Sequence, residues 1–173
     1  MIKDFEKRYL DTIPSSKIVK VYPYNPAFKK IAEDVISKIK GAITNIDVVH
    51  MGASGLEISG QGDIDIYALF ERNEFSNTLN AIIKIFGKPK RMNNNSAEWD
   101  LSKEQQEITL YLDTLENPSM LRQYEVFTIL KSNPELLNEY KQLKEQMDGK
   151  SYREYQRIKY EFYNKILMKY GRH

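Results

Sequence analysis

The sequence predicts a mixed α/β domain, a small sheet with helices against one side that continues into a helical tail. Three observations predict it: short apolar or alternating runs at 46–49, 63–70 and 107–115, amphipathic segments before and between them, and a helical pattern holding from Pro118 onward. The 173 residues suffice for one domain with a real core and are too few for two comfortable ones. Residues 1–173 are therefore read as a single domain with its helical part at 119–173.

The elements follow in order. After "TIPSSK" a short apolar run occupies 18–21. Phe28, Ile31, Val35 and Ile39 then fall at helical spacing, with Asn25 as cap, Pro26 in the first turn and Gly41 placed to end the helix. A strand at 46–49 leads into a glycine and serine turn, and a second strand carries Asp63 and Asp65. Segment 74–86 is helical, with Phe75, Leu79, Ile82 and Phe86 on one side and Gly87 closing it. "KPKRMNNNSAEWD" reads as a short strand and an exposed hairpin, in which Trp99 is a lid, an interface residue or a packed anchor. In "EITLYLDTL", Ile108, Leu110 and Leu112 alternate with Thr109, Tyr111 and Asp113. The tail divides into a helix over 120–130, one capped by Asn133 that starts at Pro134 and runs past Met147, and one over 152–170 with Tyr155, Ile158, Phe162, Ile166 and Tyr170 facing inward.

The chemistry concentrates in "VVHMGASGLEISGQGDIDIYALF". Gly, Ser and Asp are ordinary turn residues, so a tight hairpin is the competing reading. What raises the stretch above that is the position of the acids. In a strand, Asp63 and Asp65 share one face, where two carboxylates repel unless a proton or cation joins them. A hard cation such as Mg²⁺ takes oxygen ligands, commonly one or two carboxylates plus substrate phosphates. Backbone N–H groups in the preceding turn point at such an anion. The stretch is not a P-loop, since no G-K-[ST] ending is present. Two-metal transfer chemistry adds a third carboxylate, for which Asp113 on the polar face of its strand is the first choice and Glu107 and Glu98 are alternatives. The competing reading of Asp113 is a strand-end acid before a turn.

Composition narrows the function classes. Lys and Arg number 26 against 24 Asp and Glu, a net +2 that does not indicate nucleic acid. The charge is uneven, with seven basic and three acidic residues from Asp148 to His173. Cysteine is absent, which excludes thiolate metal sites and a disulfide scaffold. No apolar run reaches membrane-spanning length and the first residues lack a signal-peptide core, so no membrane partner and a cytoplasmic location are expected.

"HMGASGLEISGQGDIDI" resembles the glycine and serine motif and paired aspartates of the nucleotidyltransferase superfamily. The chain as a whole resembles the GrpB family within it, through "VYPYNPAFKKIAEDV", "VVHMGAS", "VFTILKSNPELLNEYKQLK" and "YREYQRIKYEFYNKIL". It departs from that family's usual pattern where Gln61, Gly62 and Asp63 replace a lysine and proline, restoring the aspartate pair of active transferases, and where "TLYLD" lacks histidine. The resemblance implies a nucleotidyltransferase-like mixed sheet with packed helices. It also implies Gly52 and Ser54 near nucleotide phosphates and Mg²⁺ or Mn²⁺ on Asp63 and Asp65, with Asp113 as the third acid.

The reaction implied moves a nucleoside monophosphate from ATP or another triphosphate to an acceptor hydroxyl, and the acceptor is not legible. Lys159, Arg157 and Arg153, with Lys131 and Arg122 as further choices, are the expected partners of the outer phosphates. His50 is expected to orient a phosphate or the serine, or to be a local hydrogen-bond partner. Tyr155 and Tyr163 are among the tyrosines that would stack on a base or pack in the core. The rival class is a noncatalytic binding or interaction protein that keeps the fold.

Overall fold

The computed structural model describes residues 2–71 and 73–171. Its elements are helices α1 (Asp4–Thr12) and α2 (Ala27–Ala42), strand β1 (Asp47–Met51), a single helical turn α3 (Gly52–Gly55), strand β2 (Ile64–Leu69) and helix α4 (Phe75–Phe86). Strands β3 (Arg91–Met92), β4 (Ala97–Lys103) and β5 (Gln106–Asp113) follow, then helices α5 (Pro118–Ser132), α6 (Pro134–Gln146) and α7 (Tyr152–Tyr170). The sheet order is β1-β2-β5-β4-β3, with β2 and β5 parallel and the other neighbours antiparallel.

Alternation along the strands sends residues to two separate cores, because successive side chains point to opposite faces. Ile64, Ile66 and Ala68 of β2 and Ile108, Leu110 and Leu112 of β5 pack with Phe28, Ile31, Val35 and Ile39 of α2 and Ile82 of α4. Trp99 belongs to this core and donates its indole N–H to the carbonyl of Gly87 at 2.8 Å, so it is an anchor and not a lid. On the other face Met51, Tyr67 and Leu69 pack with Val126, Phe127 and Leu130 of α5, Tyr140 of α6, and Phe162 and Ile166 of α7. The helical tail is thus the second layer of a three-layer molecule, and the sheet is covered on both faces.

Local signals explain most boundaries. Asn133 accepts from the Leu136 amide at 3.1 Å and Pro134 opens α6, a capped start with proline at its first position. Asn25 accepts from the Ala27 amide at 3.0 Å, although the helix proper starts two residues after it. Gly41 does not end α2, which closes at Ala42 with Ile43 beyond it. Helix α1 was not expected, although Phe5, Tyr9 and Ile13 fall at helical spacing and Leu10 and Ile13 are buried. It is held by a charge: the carboxylate of Glu6, fully buried, accepts from Arg122 at 2.8 Å and Asn164 at 2.9 Å, so α1 clasps α5 to α7. Among the described residues no helix is long and apolar enough to cross a membrane.

Candidate metal and phosphate site

The aspartates stand on the face covered by the tail. Asp65 is the second residue of β2, with Met51 opposite it in β1 and Thr109 opposite it in β5. Asp63 lies just before the strand, in the loop that returns from α3. Both line a cavity of about 110 Å³ between β2 and helices α5–α7, and neither carboxylate accepts a hydrogen bond from a described side chain or amide. Desolvation, and next the charge of Asp63, push the Asp65 carboxyl up to about 7.

The α3 turn fits against this carboxylate. Gly52 takes φ +68°, and a Cβ there would come within 2.5 Å of Asp65 Oδ2, so both backbone conformation and close approach call for glycine. Gly55 is needed for a different contact, since a Cβ would meet the His50 carbonyl oxygen at 2.3 Å.

Opposite the acids stand two lysines. Lys144 of α6 is only 5% exposed, and its Nζ donates to the Tyr155 hydroxyl at 2.6 Å. Lys159 of α7 lines the same cavity, one helical turn from Tyr155 and from Tyr163. Burial lowers both ammonium groups to about 8, against the opposing pull of Asp63 and Asp65. No salt bridge joins either lysine to either aspartate. The tyrosines around them are committed to one another: Tyr140 and Tyr163 share a hydrogen bond at 3.0 Å.

Four of the residues singled out in the sequence therefore meet at the cavity, namely Asp63, Asp65, Gly52 and Lys159, and Tyr155 and Tyr163 line it too. Four others do not. Asp113 is on the correct face but pairs with Leu69, four residues along β2 from Asp65, because Thr109 occupies the level expected for the third acid. Its carboxylate accepts from the Thr114 amide at 2.7 Å and from the Asn117 side chain at 3.1 Å, which makes it a turn acid. Glu107 is exposed, and Glu98 is paired to Arg91 at 2.7 Å. Among the described residues no group of three or more His, Cys, Asp or Glu is placed to hold one ion.

His50 pairs with Ile66 and so belongs to the opposite face. Its Nε2 meets the hydroxyl of buried Ser54 at 2.9 Å, and burial lowers the imidazole to about 4, leaving it neutral. This pair braces the turn outside the cavity. Arg157 is engaged by Glu154 and Glu161, Arg122 by Glu6, and Arg153 by the carbonyl of Ile13. Lys144 was missed by the sequence reading. The signal was an inward tyrosine followed four residues later by lysine, in Tyr140–Lys144 and again in Tyr155–Lys159.

The five-stranded mixed sheet with its packed helices has a nucleotidyltransferase-like fold, on which the comparison with solved structures agrees. The Cid1 poly(U) polymerase, solved with Mg and 3′-dATP bound, matches with a TM-score of 0.50 at 13% identity, over 80% of this chain and 43% of that one. A family model described as GrpB protein matches residues 18–169, and the chain belongs to the GrpB family. The conserved protein GrpB from Enterococcus faecalis superposes with a TM-score of 0.65 at 19% identity, over 88% of this chain and 99% of that one. No curated protein matches the sequence.

Proposed function

We propose that this protein binds a nucleoside triphosphate together with one divalent cation, Mg²⁺ or Mn²⁺, its phosphates lying in the cavity between β2 and helices α5–α7. The observation that carries this reading is an unpartnered carboxylate pair, Asp63 and Asp65, facing two lysines, Lys144 and Lys159, across one small cavity with no ion pair formed between them. The donor set fits one hard cation. Two carboxylates without hydrogen bonds repel, one of them held up by desolvation, and cation binding relieves both costs. When bound, the cation supplies neutralisation of charge on the phosphate oxygens. Asp63 and Asp65 hold it, Lys144 and Lys159 donate to the phosphates from the tail side, and helices α5–α7 keep bulk water out.

Binding is preferred to turnover because no third acid accompanies the pair among the described residues, which leaves an acceptor hydroxyl without a carboxylate to take its proton. The fold and the restored aspartate pair favour transfer of a nucleoside monophosphate as the second reading. Isothermal titration with ATP, with and without Mg²⁺, tests the first on the native chain and on a D63N/D65N variant. Binding that requires Mg²⁺ and is lost in the variant is expected, and equal binding by both proteins would overturn it. Sustained pyrophosphate release that D65N abolishes would move the reading to transfer.

A further inference from the structure

The cavity is small for the ligand that its charges call for. At about 110 Å³ it falls well below the roughly 300–1,000 Å³ of pockets that enclose whole organic ligands. Its four charged side chains, two acids and two lysines, complement a cation and a phosphate chain. The rest of the lining offers a nucleobase little. Leu56, Val126, Phe127 and Leu130 are apolar, Gln61 adds one side-chain amide, and Gln123, the one exposed residue of the lining, marks the mouth.

Four of the five rings in the lining already pack on another ring, Tyr155 on Tyr152 at 6.0 Å and Tyr163 on Tyr140 at 5.7 Å among them. Tyr67 stacks on Tyr111 at 4.5 Å and 15°, and Tyr140 stacks on Phe162 at 5.4 Å and 13°. Reading a base takes a ring face or hydrogen-bonding groups aimed at the base edge; Phe127 and Gln61 are the candidates in the lining, and a cavity of about 110 Å³ occupied by phosphates leaves a base no room to reach them.

Resting on the reading above, we infer that the site recognises its ligand by the phosphate chain alone, so that it binds inorganic triphosphate as it binds a nucleoside triphosphate and does not tell the four bases apart. The cation and the lysines engage phosphate oxygens, and the nucleoside projects past Gln123 into solvent.

Calorimetric titration of the full chain in Mg²⁺ with inorganic triphosphate, ATP, GTP, CTP and UTP tests this. Dissociation constants within about threefold of one another are expected, since a base contact worth a single hydrogen bond would separate them further. A Lys159→Met variant, checked for folding by thermal melt, should weaken all five by a common factor of about ten. ATP binding at least about tenfold tighter than inorganic triphosphate, or a preference of that size for one base, would overturn the inference alone. Loss confined to the nucleotides in Lys159→Met would do the same. Absence of binding by all five overturns the underlying reading and the inference with it.

Discussion

The two faces of the sheet were built from the same strands and have different contents. The face under α2 and α4 is closed with aliphatic side chains, Phe28 and one tryptophan, and most of them are under 5% exposed. The face under α5–α7 carries two unpaired carboxylates, two lysines whose ammonium groups are lowered to about 8 by burial, and a set of buried phenols around a cavity. Both faces bury apolar area, but only the second leaves charge unsatisfied. Stability and binding therefore separate by side-chain parity along β2 and β5, one residue serving the fold and the next the site.

The largest effect tests that separation on the closed face. Leu110 is fully buried between β2, β4 and α2, and Leu110→Ala should cost about 2–5 kcal/mol in denaturant unfolding, with loss of contacts and a residual cavity both contributing. Each kcal/mol should lower Tm by roughly 2–4 °C for a chain of this length. The refolded variant should bind Mg²⁺-ATP with unchanged affinity. A matching loss of affinity would show that the two faces are not independent.

A smaller effect sharpens the comparison through pH, because each face carries an ionisable group that burial shifts strongly across the range from pH 4 to 7, Asp65 on one and His50 on the other. Asp65 is raised from 3.8 to about 7, so between those values the unfolded chain has released a proton that the folded chain keeps. Unfolding then gains as pH rises, and the Asp65 contribution falls from pH 4 to pH 7 and is flat above. His50 is lowered from 6.5 to about 4, so between those values the unfolded chain holds the extra proton and stability rises with pH. The opposed slopes largely cancel in the native protein. In chelator, D65N should gain stability over the parent progressively from pH 4 to 7, and H50N should gain over it as pH falls from 6.5 to 4, each by a few kcal/mol at most. Chemical denaturation across this range reads both difference curves. A pH-independent difference for D65N would mean that its carboxylate is not desolvated.

The same parity explains what could be read in the sequence. Helix α2, strand β5, the Asn133–Pro134 start of α6 and most of the inward stripe of α7 were legible because each carries its own period or cap; Tyr170, expected inward, is 42% exposed at the end of α7. The acid at Asp65 was legible from strand alternation and from the glycine that packs on it. Helix α1 was not, although Phe5, Tyr9 and Ile13 keep helical spacing, because its docking rests on the Glu6 ion pair with Arg122, 116 residues away, which no local pattern announces. Lys144 was hidden for a related reason, since a lysine on an inward stripe looks like an interruption until the opposing acids are placed. Asp113 was misplaced by register. Sequence fixes the face of a side chain, but the level of one strand against a parallel neighbour is set by tertiary packing.

That register gives the smallest effect. Asp113 shares the site face but sits four residues from Asp65, where it receives the Thr114 amide and the side-chain amide of Asn117. Asn117 is itself the cap of α5, its Oδ1 accepting from the Ser119 amide at 3.0 Å. In D113N the new amide can still accept from Thr114, but its NH₂ then faces the NH₂ of Asn117. Asn117 cannot rotate to relieve this without giving up its cap, so one hydrogen bond is lost in either arrangement. The expected cost is about 0.5–1.5 kcal/mol, a Tm decrease of a few degrees, with the full Mg²⁺-ATP shift in Tm retained. The raised carboxyl of Asp113, chiefly a burial effect, works in the opposite sense and keeps the cost at the lower end near neutral pH. Paired melts of D113N and the native chain, each with and without Mg²⁺-ATP, measure both quantities. A D113N protein that melts normally but loses the ligand shift would put this carboxylate within reach of the bound ligand, and with it restore the third acid that transfer requires.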